Sequence, residues 1–236
     1  MTLPARIALG RTGVSLPTRA SLAFALDHAR ARDAVRAPLD VAALEGRIGP
    51  CVRVASAAPD RSAYLARPDL GARLSESLAP LPPANPDLVI VLADGLSSRA
   101  LDHAPALLEH LLPMLSDLRL APLVIATQAR VALADAIGES LGAGMALILI
   151  GERPGLSAPD SLGAYLTWAP RVGRTNAERN CVSNIRPSGL APAEAARTLA
   201  WLIAAARRLK LTGVALKDDS RLRTIDAPAR VLGNGD

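Results

Sequence analysis

Residues Met145–Gly155 read MALILIGERPG, and this stretch decides the fold. Six apolar residues, Met145–Ile150, run without a break between Gly144 and Gly151. A run that short, with glycine at both ends, suits a strand buried on both faces of a parallel sheet better than a helix. Polarity then changes at once. Glu152 and Arg153 follow Gly151, and Pro154-Gly155 turns the chain away. In open α/β sheets, ligands bind beyond the carboxyl ends of the strands. This charged, glycine-flanked loop is therefore a site candidate.

The same kind of run recurs on either side. Leu88–Leu92 (LVIVL) reads as a buried strand ending in Ala93-Asp94-Gly95-Leu96-Ser97-Ser98, and Leu123–Ala126 (LVIA) as the next. Cys51–Ala55 alternates like a strand, and Ala164–Trp168 is a fifth. Helices fall between them. One runs from Ser97 or Ser98, either of which can cap it, to about Leu118; Pro105 and Pro113 predict that it is kinked or split. A second runs from about Val131 to Leu141, where Gly142 closes it. A third runs from Pro192 to about Lys210, with Ala195, Leu199, Leu202, Ala206 and Leu209 on one face. Strands alternating with helices predict an α/β fold, a Rossmann-like and mostly parallel sheet flanked by helices.

The amino-terminal part has a different pattern. Residues 1–16 read as an extended arm. Thr18 is placed to cap a helix that carries Leu22, Leu26, Ala29 and Asp33 at helical spacing and stops before Pro38. Asp40 is placed to cap a second, short helix to about Arg47. The expected organisation is an arm and small helical domain over residues 1–49 and the α/β domain over residues 50–236. Residues 60–79 read as a loop followed by a helix, and Leu81–Asp87 as a proline-rich connection. Residues 169–191 carry turn formers and little apolar periodicity, and the tail from Ala215 is polar and frayed.

Composition narrows the classes. At 236 residues the chain is long enough to bury a full core. Hydrophobic residues are 50% and aromatics only 2%, so Ala, Leu, Val and Ile must build that core. The net charge of +5 raises nucleic acid as a partner, against an arginine-rich surface facing an acidic partner or solvent. No basic run exceeds two residues and few aromatic rings are present to stack on bases, which favours the second reading. Cys51 and Cys181 lie far apart with no CxxC, so neither a disulfide framework nor a zinc site is expected. No secretory signal and no membrane-length apolar stretch appear, and the expectation is a soluble, cytoplasmic chain.

Candidate chemistry is sparse. Gly142-Ala143-Gly144 begins a GxG but precedes a strand instead of following one, and no Walker A sequence is present. His28, His103 and His110 have no further ligands converging in sequence, so no metal site is expected. Asp102-His103 sits in DHAPAL, which lacks the spacing and glycine of the DxHxxG sequence of some cobalamin enzymes. Cys181 lies in RNCVSNIRP, Arg179–Pro187, with no histidine near to activate it. It is either a small packing residue or part of a polar loop suited to holding an amide-rich ligand. Glu152 and Arg153 either pair with each other or the surface, or face a ligand. No catalytic residue emerges.

Several stretches, taken together, carry a resemblance. They are Asp94-Gly95-Leu96-Ser97, RVALADAIGESLG (130–142), GERPG (151–155), PDSL (159–162), YLTWAPR (165–171) and ERNCVSNIRP (178–187). ARIALGRTG near the start and YLARPDLGARL (64–74) agree with them. The chain resembles the small (light) subunit of ethanolamine ammonia-lyase, the adenosylcobalamin-dependent enzyme that converts ethanolamine to acetaldehyde and ammonia. The resemblance spans about residues 5–219.

The resemblance implies a large TIM-barrel subunit that binds ethanolamine and carries the radical rearrangement, a cobalamin held between the two subunits, and a hetero-oligomer of such pairs. It implies that the isolated small subunit is inactive. The family's cofactor-binding positions fall on Val131, Glu152 and Cys181, with Asp94 and Ser97 as weaker candidates. The missing DxHxxG fits a family that keeps the dimethylbenzimidazole base on cobalt. Many members carry a longer amino-terminal extension associated with bacterial microcompartments. This sequence begins almost at the globular domain, so free cytoplasmic enzyme is expected. The rival classes are a free-standing Rossmann-like enzyme, which needs a complete nucleotide site or catalytic dyad, and a basic nucleic-acid-binding module, which needs salt-dependent binding by this chain alone.

Overall fold

Successive side chains of a strand point to opposite faces, so an unbroken apolar strand needs a covering layer on each side. The computed structural model describes residue 13, residues 15–75 and residues 85–218, and it supplies both layers. Strand β2 (Leu88–Ala93) and strand β4 (Met145–Gly151) are buried at every position. Leu88, Ile90 and Leu92 join Met145, Leu147 and Leu149 in one core, against helices α5 (Ala104–Leu111) and α7 (Pro192–Leu209). Val89, Val91 and Ala93 join Ala146, Ile148 and Ile150 in a second core on the opposite face, against Leu133, Ile137 and Leu141 of α6 (Leu133–Leu141). Burying each large aliphatic side chain contributes about 1.5–3 kcal/mol gross, so these two strands dominate the driving force.

The described residues form one six-stranded sheet in the order β1-β3-β2-β4-β5-β6. β1 (Val52–Ala55), β3 (Val124–Thr127), β2 and β4 are parallel. β5 (Leu162–Trp168) and β6 (Arg179–Ile185) add an antiparallel edge. The expected α/β fold with a mostly parallel sheet is therefore present. From β2 the chain moves through α5 to β3 on one side. It then returns through α6 to β4 on the other. Connections leaving β2 and β3 thus diverge to opposite faces, which opens a crevice at their carboxyl ends.

The local signals that survive are those with a mechanism. Asp40 caps α2 (Val41–Ile48), accepting from Ala43 N at 2.9 Å. Gly142 closes α6 in the left-handed region, with φ +64. Pro105 and Pro113 split the expected long helix. A 3-10 turn over Ser98–His103 leads into α5, and a second over Leu112–Leu115 follows it, each proline standing in a first turn.

Five expectations need correction. Thr18 does not cap the first helix; it is the first residue of the helix Thr18–Arg36, which follows Pro17 with no side-chain cap. Residues 60–75 are not a loop leading to a helix. Asp60 caps α3 (Arg61–Ala66) at once, and α4 (Pro68–Gly71) follows. Val131 does not start a helix; it stands in the turn before α6. Ser97 and Ser98 cap nothing with their side chains. The turn-rich segment 169–191 contains a full strand, β6, so Cys181 lies on a sheet edge and not in a loop. The strand is cryptic because only Arg179, Val182 and Ile185 are buried. A register shift near Leu162 and Ala164 turns its period of two into an apparent period of three. The amino-terminal arm falls almost wholly outside the described residues, as does most of the tail from Ala215.

Candidate functional site

The crevice is built on two glycines. Leu96 N donates to Gly151 O at 2.9 Å, joining the end of β2 to the end of β4. A Cβ on Gly95, whose φ is +54, would lie 2.2 Å from Gly151 O, and one on Gly151 would lie 2.0 Å from Ser97 O. No side chain fits at either position, so the two strand ends close on each other and leave their loops facing outward.

Asp94, the first residue past the end of β2, is consumed by this scaffold. Its Oδ1 accepts from Ala129 N at 3.1 Å and its Oδ2 from Arg61 Nη1 at 3.3 Å. Burial raises its pKa, and the backbone N–H groups of Gln128 and Ala129 together with Arg61 oppose that rise. Arg61 also donates to Gly95 O at 2.8 Å and Val35 O at 2.8 Å, tying the end of α1 (Thr18–Arg36) to the strand end. Ser97 Oγ donates to Pro159 O at 2.6 Å and Ser98 Oγ to Ala37 O at 3.0 Å. Neither Asp94 nor Ser97 lines the cleft beside them.

That cleft has a volume of about 370 Å³. Leu96, Val131, Ile150 and the ring of Tyr165 supply its apolar wall, and Arg130, Glu152 and Arg153 its charges. Beneath them Tyr64 is fully buried and donates from its hydroxyl to Ala129 O at 3.1 Å. The guanidinium carbons of Arg61 and Arg130 stand 4.7 and 4.4 Å from its ring centre. Burial pushes the Tyr64 hydroxyl up to about 12. The residue is a neutral, rigid support.

Glu152 is half-buried and is held in place. Ser161 Oγ donates to its Oε2, as does Asn184 N at 3.4 Å. Its side chain lies over Gly163 of β5, where a Cβ would stand 2.8 Å from Oε1. It does not pair with Arg153, which is exposed. The loop between Glu152 and Ser161 is clamped. His103 Nε2 lies 2.9 Å from Asp160 Oδ2, and Arg186 Nη1 lies 3.7 Å from Asp160 Oδ1 and donates to Ser157 O at 3.2 Å. That is the work of His103, and no group of metal-ligating side chains exists among the described residues.

Cys181 does not line the cleft, but its cross-strand partner does. Cys181 and Tyr165 stand opposite each other in β6 and β5. Tyr165 is raised above its ordinary pKa by burial first and by Cys181 second. The Cys181 thiol is also raised, by desolvation of the sulfur although the residue is exposed overall, and by the Glu152 charge; the neighbouring Tyr165 hydroxyl opposes this. A raised thiol is a poor nucleophile at neutral pH. Val131 and Glu152 are thus brought together directly, and Cys181 is joined to them through Tyr165.

The Ethanolamine ammonia-lyase light chain family model matches residues 1–217 of this sequence. The chain belongs to that family. The ethanolamine ammonia-lyase small subunit of Bradyrhizobium diazoefficiens is 55% identical over 240 residues, covering 97% of this chain and 91% of its own. Those of Azotobacter vinelandii and Pseudomonas aeruginosa are 52% and 50% identical, each covering 98% of this chain and 91% and 90% of their own. The cleft contains three residues that sequence reasoning passed over as site candidates, Tyr64, Tyr165 and Arg130. The signal for Tyr165 was the alternation of β5, which puts Gly163, Tyr165 and Thr167 on one face. Arg130 had none beyond its place next to Val131. Among the described residues no helix is long and apolar enough to cross a membrane.

Proposed function

We propose that this chain forms one wall of the adenosylcobalamin pocket of an ethanolamine ammonia-lyase, with the other wall on a large TIM-barrel subunit that carries the chemistry. The observation that carries the reading is the cleft at the strand ends, where Val131 and Glu152 meet beside the Tyr165–Cys181 pair. Its volume of about 370 Å³ is near the lower end for a drug-sized ligand, and a corrinoid is far larger. Half a pocket, completed by a partner, fits that mismatch. Residues 1–49 act in this reading as an arm and helical unit, and residues 50–236 as the cofactor-contacting domain.

The side chains of the cleft suit a ligand rich in neutral amides. Glu152 offers a fixed carboxylate to an amide N–H, and Val131 and Ile150 offer apolar surface. Gly163 leaves the Glu152 carboxylate its space. Cys181 contributes through its edge position opposite Tyr165. When bound, the cofactor supplies a carbon–cobalt bond that opens to a radical, and the protein's task is binding and orientation. No residue of this chain needs to move a proton, and the isolated chain is inactive in this reading.

Co-expression with the large subunit, followed by an ammonia-release assay with ethanolamine and adenosylcobalamin, tests the proposal. Activity should require both chains and the cofactor. Failure of the chains to co-purify, with no ammonia released, would sink it. Within an active complex, Glu152→Ala should weaken cofactor affinity by roughly tenfold, the loss of one charge-assisted hydrogen bond.

A further inference from the structure

The cleft carries more cationic than anionic charge. Arg130 and Arg153 both line it. Neither forms an ion pair among the described residues. Arg61, the neighbouring guanidinium, is paired with Asp94. Glu152 is the cleft's one carboxylate, and its Oε2 is occupied by Ser161 and Asn184. Arg130 is also fixed in position. Its Nη2 donates to Tyr64 O at 3.4 Å, its guanidinium lies over the Tyr64 ring, and its Nε is buried without a hydrogen-bond partner. A buried, unpartnered guanidinium N–H is costly unless a ligand acceptor meets it. The amino end of α6, just past Val131, adds a favourable field for an anion, and the one acid of its first turn, Asp135, is already paired with Arg179.

Resting on the proposed function, we infer that this cleft receives the phosphodiester of the cofactor's nucleotide arm, with Arg130 and Arg153 as its cationic contacts. The chemistry of the ligand selects this group. The peripheral side chains of the corrin are neutral amides, and the cobalt-bearing ring is itself cationic, so two free guanidiniums are poorly placed against either. The phosphodiester is the cofactor's anion, and guanidinium–phosphate pairs are strong and directional. The size agrees, since about 370 Å³ holds a phosphate and an adjoining sugar but not a corrin. The apolar wall of Val131 and Ile150 lies alongside, where the less polar parts of that arm would run.

The test compares two corrinoids on the assembled two-subunit complex, with binding followed by the visible spectrum and not by turnover. Adenosylcobalamin carries the nucleotide arm; adenosylcobinamide lacks it and its phosphodiester. Arg153→Gln and Arg130→Met should each weaken adenosylcobalamin about tenfold or more. They should leave adenosylcobinamide within about twofold, and Arg130→Lys should retain most of the affinity. Arg153 is exposed, so its variant keeps the fold even if Arg130→Met does not. Equal weakening of both corrinoids, or no weakening of adenosylcobalamin by Arg153→Gln and Arg130→Lys/Met alike, overturns the inference while the proposed function stands. A wild-type complex that takes up neither corrinoid overturns both.

Discussion

Tyr64 and Tyr165 are the only tyrosines of the chain, and both sit at the cleft with raised pKa values. A phenol raised in the folded state stays protonated there while the unfolded chain ionises near 10. The stability this brings is whole below about pH 10 and is lost as pH rises toward about 12 for Tyr64. Spectrophotometric titration of the purified chain should therefore show no phenolate near pH 10, and the first rise should come near 12 or with unfolding. A step of one tyrosine at pH 10 would mean that one of the rings is solvated.

The glycines of the site separate fold from function at single positions. Gly95→Ala meets the backbone of Gly151 from a left-handed conformation and should cost at least about 2 kcal/mol in chemical denaturation. The nearest atoms to a Cβ at Gly163→Ala all belong to the Glu152 side chain. This substitution should change stability little yet lower cofactor affinity in the assembled complex about as much as Glu152→Ala does. An unchanged affinity would show that the position of that carboxylate is unimportant.

Among the elements, β6 is the one whose place depends most on a few polar groups. Arg179 and Asp135 form an ion pair with side chains 2% and 1% exposed, joining the strand to α6. Burial raises Asp135, and Arg179 opposes it. Removing one partner leaves the other charge buried, which costs about 3–5 kcal/mol. Arg179→Met should therefore unfold at lower denaturant than wild type, and Arg179→Met/Asp135→Leu should recover part of the loss. Full additivity of the two single changes would contradict a coupled pair.

Just before the strand, Glu178 closes a capping box with Thr175 and pairs with Arg174. The Thr175 backbone N–H first, then Arg174, hold its carboxyl down to about 2. A depressed acid stabilises the fold above its unfolded pKa of about 4.3 and loses that contribution as pH falls toward about 2. The difference in thermal midpoint between wild type and Glu178→Gln should be constant at neutral pH and shrink across that acid window. A difference independent of pH would rule out the charge as the cause.

For the whole molecule, α1 is the exception to an otherwise well-covered core. Only Ala34 of its residues is buried, while Leu22, Phe24 and Leu26 are 64%, 60% and 51% exposed. Exposed apolar side chains on a helix favour association. Leu22→Lys/Leu26→Lys should raise the soluble fraction of the chain expressed alone, with stability changed by no more than about 0.5 kcal/mol per site. Loss of the folded state on these changes would mean that α1 packs within the chain.

The unbroken runs Leu88–Leu92 and Met145–Ile150 determined the fold class by themselves, because only a sheet covered on both faces removes every one of those side chains from water. Asp40, Gly142, Pro105 and Pro113 marked helix ends correctly because each acts through its own backbone or a neighbour within four residues. The ordered motifs determined family membership. Tertiary structure alone decided which strand ends meet, that residues 179–185 form an edge strand, and that Arg130 and Tyr165 share a cleft with Val131 and Glu152. The reason is physical. Local signals report periodicity and backbone preference, while strand order and register bring together residues 13, 21 and more positions apart that no period connects. A strand whose alternation is broken by a shift in register leaves no period of two to mark it as a strand.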